Sequence, residues 1–125
     1  MLTPPKQLST DGQDDGSVVS IVGGVSAWVS PWNIVNASSP THNETSMFGE
    51  KILLCDCTST SILVNLPTAV ANSAKFNIKK TDSSVNNLTI DGAGSEQIEF
   101  ALTAVLQMKG ECITIISDGS NWIII

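Results

Sequence analysis

Arginine and tyrosine are absent from this 125-residue chain, histidine occurs once, and only 14% of the side chains are charged. Each shortage excludes something. Arginine is the side chain best shaped for phosphate and for base edges. Without it, and with a net charge of -6 from 12 acidic residues against six lysines, the chain is unsuited to nucleic acid or an anionic membrane surface. The cysteines are Cys55, Cys57 and Cys112, an odd count that implies no disulfide framework. No apolar run approaches the ~18 residues of a membrane helix. The opening MLTPPKQLSTDG lacks the basic and apolar regions of a secretory leader, so synthesis in the cytoplasm is expected. A charged fraction well below the ~25% usual for soluble domains suits a chain that hides surface in an assembly.

Few residues are of the types that carry chemistry. His42 sits in a Pro/Ser/Thr/Asn-rich stretch that reads as a linker, which offers a general base neither position nor tuned environment. In a strand Cys55 and Cys57 share a face, but zinc sites wrap the ion with C-x₂₋₄-C spacing. Small buried side chains are the plainer reading. Asp11 to Gly16 resembles the start of a calcium loop, yet the twelfth position is Val22 instead of a bidentate carboxylate. Glu96 and Glu99, if in a strand, point to opposite faces and do not form a glycosidase pair. The sequons at Asn36, Asn43 and Asn87 need a secretory route to matter, and no glycine loop is followed by the lysine or helix start of a phosphate cradle. No enzyme activity, cofactor or metal is expected.

What is present is strand-forming sequence. Composition shifts near residue 50: residues 1–50 hold eight Ser, five Gly and four of the five Pro, and the remainder holds most of the Ile and Leu. An extended N-terminal arm over 1–49 followed by a compact domain over 50–125 is expected. Strands are expected at Ile52 to Cys57, Ser61 to Leu66, Phe76 to Lys80 and Leu88 to Ile90, with Gln97 to Phe100 and Leu102 to Met108 less defined. Cys112 to Ile116 and Trp122 to Ile125 close as a hairpin over Ser117-Asp118-Gly119-Ser120-Asn121. Turn signals every 8–12 residues suggest an all-β sandwich or barrel-like fold. The arm reads as a small hairpin, Val18 to Val22 and Val25 to Val29. The runs ILV, ITII and WIII are apolar at successive positions, so both strand faces call for cover, and identical neighbours would supply it.

These residues, in order, carry a family likeness. Ile62 to Pro67 (ILVNLP), Phe76 to Asp82 (FNIKKTD), Asn87 to Gly92 (NLTIDG), Glu96-Gln97-Ile98 and Ser117 to Trp122 (SDGSNW) resemble a pattern of tailed-bacteriophage fibre and capsid-decoration proteins. In the arm, Lys6 to Gly12, Gly16 to Val19 and Gly24 to Val29 resemble segments where fibre parts join. The likeness departs at Ile98-Glu99-Phe100, where the family more often has glycine after the acidic residue, and in the absence of a long shaft.

The resemblance implies a homotrimeric β knob, in sandwich, barrel or intertwined-prism form, on the virion surface. It implies a structural role as a capsid decoration, head fibre or tail fibre. Trp28 and Trp32 would anchor the arm to the major capsid protein or a tail protein. Leu63, Leu66, Ile113, Ile115, Trp122 and Ile124 would form the core and trimer contacts. The alternative is a module that binds a host-surface glycan or receptor.

Overall fold

A computed structural model describes residues 33–125 in full and residues 18–22 and 25–29 as backbone strands; Trp32 and the calcium-like loop lie outside the described residues. The chain divides into two units, before and after the Asn33–Ile34 junction. In the first, β1 (Val18–Val22) pairs antiparallel with β2 (Val25–Val29), Val18 opposite Val29 and Val22 opposite Val25. The β-branched residues on either side of Gly23-Gly24 suit this hairpin.

The second unit contains β3 (Ile34–Ala37), β4 (Thr41–Asn43), β5 (Glu50–Cys55), β6 (Ile62–Asn65), β7 (Lys75–Lys80), β8 (Leu88–Asp91), β9 (Thr103–Leu106), β10 (Cys112–Ser117) and β11 (Trp122–Ile124). The stretch 34–49, expected with the arm, supplies the first two of these strands. No helix occurs among the described residues. Two sheets form, in the orders β11-β10-β7-β5-β3 and β4-β6-β8-β9. Neither closes on itself, so the fold is two open sheets and not a barrel.

The chain alternates between the sheets. β3, β5 and β7 lie parallel in one, while β4, β6 and β8 lie parallel in the other. Each pair of consecutive strands is one coil of a short two-faced solenoid. Successive coils stack in register, Val35 on Leu53 on Ile78 in the larger sheet and Ile62 on Leu88 in the smaller. After β8 the stacking turns antiparallel: β9 pairs with β8, β10 with β7, and β11 with β10. The strands at Ile52–Cys57 and Ser61–Leu66 are therefore not partners despite their short connection. They occupy opposite sheets because each pairs with the next coil instead of with the other.

Alternation inside each strand sets the core. In β6 and β8 the buried positions are Ile62, Val64, Leu88 and Ile90; in β7 they are Phe76, Ile78 and Lys80. Lys80 apart, these residues join Leu53, Cys55, Ile115 and Trp122 in one hydrophobic cluster shared by both sheets. Burying each large apolar side chain contributes roughly 1.5–3 kcal/mol. Phe76 and Trp122 meet with ring centroids 5.4 Å apart at 55°, a tilted arrangement that suits the ring quadrupoles.

The corners are tied to one another by side chain–backbone hydrogen bonds. Asp82 accepts from the Cys57 and Ser84 backbone N–H groups at 2.7 and 2.9 Å, and Asn86 Nδ2 donates to Cys57 O. On the opposite edge Asn72 Nδ2 donates to Ser46 O and Thr68 O, and Glu96 accepts from Ala69 N–H and the Thr68 hydroxyl. Gly92 sits where a Cβ would lie 2.4 Å from Glu96 O, so only glycine allows the chain to leave β8 this tightly.

Gln97–Phe100 is a turn and not a strand. Ile98 and Ala101 exchange both backbone hydrogen bonds, and Glu99 (φ +48°) and Phe100 (φ +72°) both occupy the left-handed region. The position where the likeness favours glycine thus holds a phenylalanine in a backbone conformation that glycine adopts more readily.

Candidate interaction surface

The side chains singled out for chemistry are dispersed by this topology. Cys55 and Cys57 are fully buried, whereas Cys112 is exposed on the outward face of β10. Burial pushes the Cys55 thiol up to about 12, with the neighbouring Cys57 adding to the effect. Cys57 is also raised, by burial first and then by the Asp82 charge. Glu96 and Glu99 each serve a backbone amide: Glu96 holds Ala69 N–H, and Glu99 Oε1 accepts from Ile124 N–H at 2.8 Å. Among the described residues no three His, Cys, Asp or Glu side chains are placed to hold a metal ion.

Among the described residues two buried charge clusters occur, and both hold corners. The Glu44 side chain is 1% exposed and accepts from His42 Nε2, Lys51 Nζ and the Thr45 and Ser46 backbone N–H groups at 3.0–3.1 Å. Burial alone would raise its carboxyl, but these donors hold it down at about 2. Lys80 is wholly buried, with Nζ donating to Asp82 Oδ2, Asp82 O and Ser84 O. The Asp82 carboxyl, which burial would raise, is held well below its ordinary range by Ser84, Cys57 and Lys80. All three ammonium hydrogens of Lys80 are thereby used. Both carboxylates are saturated with local donors, so these clusters act as struts and not as proton-transfer groups.

A shallow groove of about 490 Å³ lies between the β7–β8 corner and the β9–β10 turn, lined by Ser83, Ser84, Val85, Asn87, Met108 and Lys109, among others. Lys109 is the single charged group on it, and no acid–base pair faces it.

Convex apolar surface is the conspicuous feature. Among the described residues ten large hydrophobic side chains are exposed, including Phe48 (80%), Val85 (96%) and Phe100 (84%). The sequence-selected core and contact residues separate by location. Leu66, Ile115 and Trp122 are buried, Ile113 packs partly against the core, Leu63 is half-buried on the outward face of β6, and Ile124 is 38% exposed. Trp28 lies in β2. Ile116 and Ile123, outward in the doubly apolar runs, are half-buried, as are Ile52 and Leu54 of β5. The exposed set instead includes Phe100, Leu102 and Met108, which alternation did not single out, since each lies in or beside a turn.

Compared with protein-family models, curated proteins and solved structures, the chain matches none.

Proposed function

We propose that the chain is a structural surface protein of a tailed-phage virion, a homotrimer whose compact β unit projects outward and whose N-terminal segment, with Trp28 and Trp32, attaches to the capsid or tail. The observation that carries this reading is the apolar surface left over once the core is full. Ten large hydrophobic side chains remain exposed in a unit whose interior is already closed by both sheets. Contiguous exposed apolar surface marks association sites, and closed point-group assembly of identical chains is the common way to cover it. The ordered likeness to phage fibre and decoration segments, from Ile62 through Trp122, supplies the setting. Buried charges used as struts and corners stitched to one another suit a chain that bears load and turns nothing over.

The glycan-binding alternative lacks a comparable observation. Among the described residues the exposed aromatics are Phe48, before β5, and Phe100, before β9, and they stand on different coils.

Sedimentation equilibrium of the recombinant chain gives a mass of three chains if this reading holds, and a persistent monomer would sink it. Antibody labelling of particles in the electron microscope is expected to decorate the virion surface.

A further inference from the structure

We infer that copies of this chain meet through the C-terminal end of the two-sheet stack, where β9 and β11 are the last strands of their sheets. This inference rests on the proposal that the chain self-associates. Three observations point to that end.

The exposed apolar side chains are not spread evenly. Six of the ten, namely Phe100, Leu102, Val105, Met108, Ile124 and Ile125, belong to β9, β11 or the segments adjoining them. The other four, Ile34, Phe48, Val70 and Val85, fall one each on β3 and on three separate corners.

Charge is sparse on the same strands, its nearest carboxylates being Glu99 and Glu111, the latter holding the Gln107 and Met108 N–H groups. Residues 100–108 read FALTAVLQM and residues 122–125 read WIII, without a charged side chain. Glu99, between them in space, is engaged by the Ile124 backbone N–H. A chain of net charge -6 repels its own copies wherever carboxylates face each other. A stretch low in charge avoids that repulsion and so suits a second copy, whereas a basic partner would find more charge elsewhere on the chain.

The geometry also directs how the contact is made. The outer edge of β11 is already closed within the chain: Trp122 N–H donates to Gln97 O, Glu99 N–H donates to Trp122 O, and Glu99 takes Ile124 N–H. That closure uses the turn in which Glu99 and Phe100 both have positive φ, and the turn leaves Phe100 84% exposed. Strand addition onto β11 is therefore blocked, and contact at that rim is between side chains. In a three-fold ring the contact is heterologous, with the β9 rim (Leu102, Val105, Met108) of one chain against the β11 rim (Ile124, Ile125) of the next. Backbone strain retained beside an exposed aromatic is what a contact residue held in place by its surroundings looks like.

The test uses the full chain in analytical ultracentrifugation, with three exposed-residue variants. Val105→Asp/Met108→Asp and Phe100→Asp place like charges into the contact, while Phe48→Asp/Val70→Asp places the same charges on distant corners. The expected result is a mass of three chains for the wild type and the corner variant, and at least a tenfold weaker association for the two end variants. Each variant is shown to be folded by thiol labelling, in which Cys55 and Cys57 stay unreactive. A trimeric wild type whose end variants stay trimeric, or whose corner variant dissociates instead, overturns the contact surface alone. A monomeric wild type overturns the self-association proposal itself.

Discussion

Cys112 stands on the outward face of β10, while Cys55 and Cys57 are enclosed between the sheets with raised thiol pKa values. The thiolate is the reactive form, so a native sample is expected to take up one maleimide per chain and a denatured sample three, counted by mass spectrometry. Glu44 gives a pH signature. Its carboxyl is about 2 in the folded protein against an ordinary 4.5. A depressed folded value means that its stabilisation is fully present above about 4.5 and is lost as the pH falls towards 2. Thermal melts are expected to show Tm falling through that window, with a shallower fall in Glu44→Gln. Phe100 has φ +72°, a region costing a non-glycine residue about 1–2 kcal/mol. Phe100→Gly is expected to stabilise the folded chain by about 1 kcal/mol in denaturant titrations performed under dissociating conditions.

At the scale of elements, the corners decide whether coils stack. Lys80 is wholly buried, and Asp82 is the carboxylate it meets. Removing one partner of a buried ion pair strands the other charge, so Asp82→Ala is expected to destabilise by about 3 kcal/mol in chemical unfolding. Thr81 and Asp82 also hold backbone atoms of Cys55 and Cys57 in the preceding coil, which makes this corner a clamp between two rungs. The edges differ in the same way. β11 is the most apolar strand, and its edge is sealed by Gln97–Glu99, a device that blocks edge-to-edge aggregation. The Trp122 ring, wholly buried, packs on Phe76 and anchors β11 to the core.

For the whole molecule, two compositional facts act together. Few charges and a closed two-sheet core leave apolar surface to be covered from outside, and that surface gathers where the stack ends. A solenoid contacts only neighbouring coils, so its ends need covering. The antiparallel strands β9 to β11 seal the core at one end but leave Val105 and Ile124 exposed. Deleting residues 1–33, up to the unit boundary, is expected to abolish particle binding in a pull-down while leaving the compact unit's far-UV spectrum that of a folded β protein.

Strand positions were legible in the sequence because alternation and turn residues are local signals. Phe76 to Lys80, Leu88 to Ile90 and the Cys112–Trp122 hairpin all follow from them, as does the burial of Trp122 and Ile115. Strand partners were not legible. A strand after a short polar connection ordinarily pairs with its predecessor, and here β6 pairs with β4 and β8 instead. The coil repeat is irregular, Ile34 pairing with Ile52 but Ile52 with Asn77, so no period betrays it. The turn at Glu99–Phe100 was equally hidden, because its positive φ values exist only while β11 is there to hold them. Composition and pattern alone determined an all-β, low-charge chain with more apolar surface than one core consumes. Tertiary structure decided which strands meet, that Lys80 is buried, and that the surplus lies at one end. Those outcomes depend on contacts between coils, whose free energy belongs to no single segment.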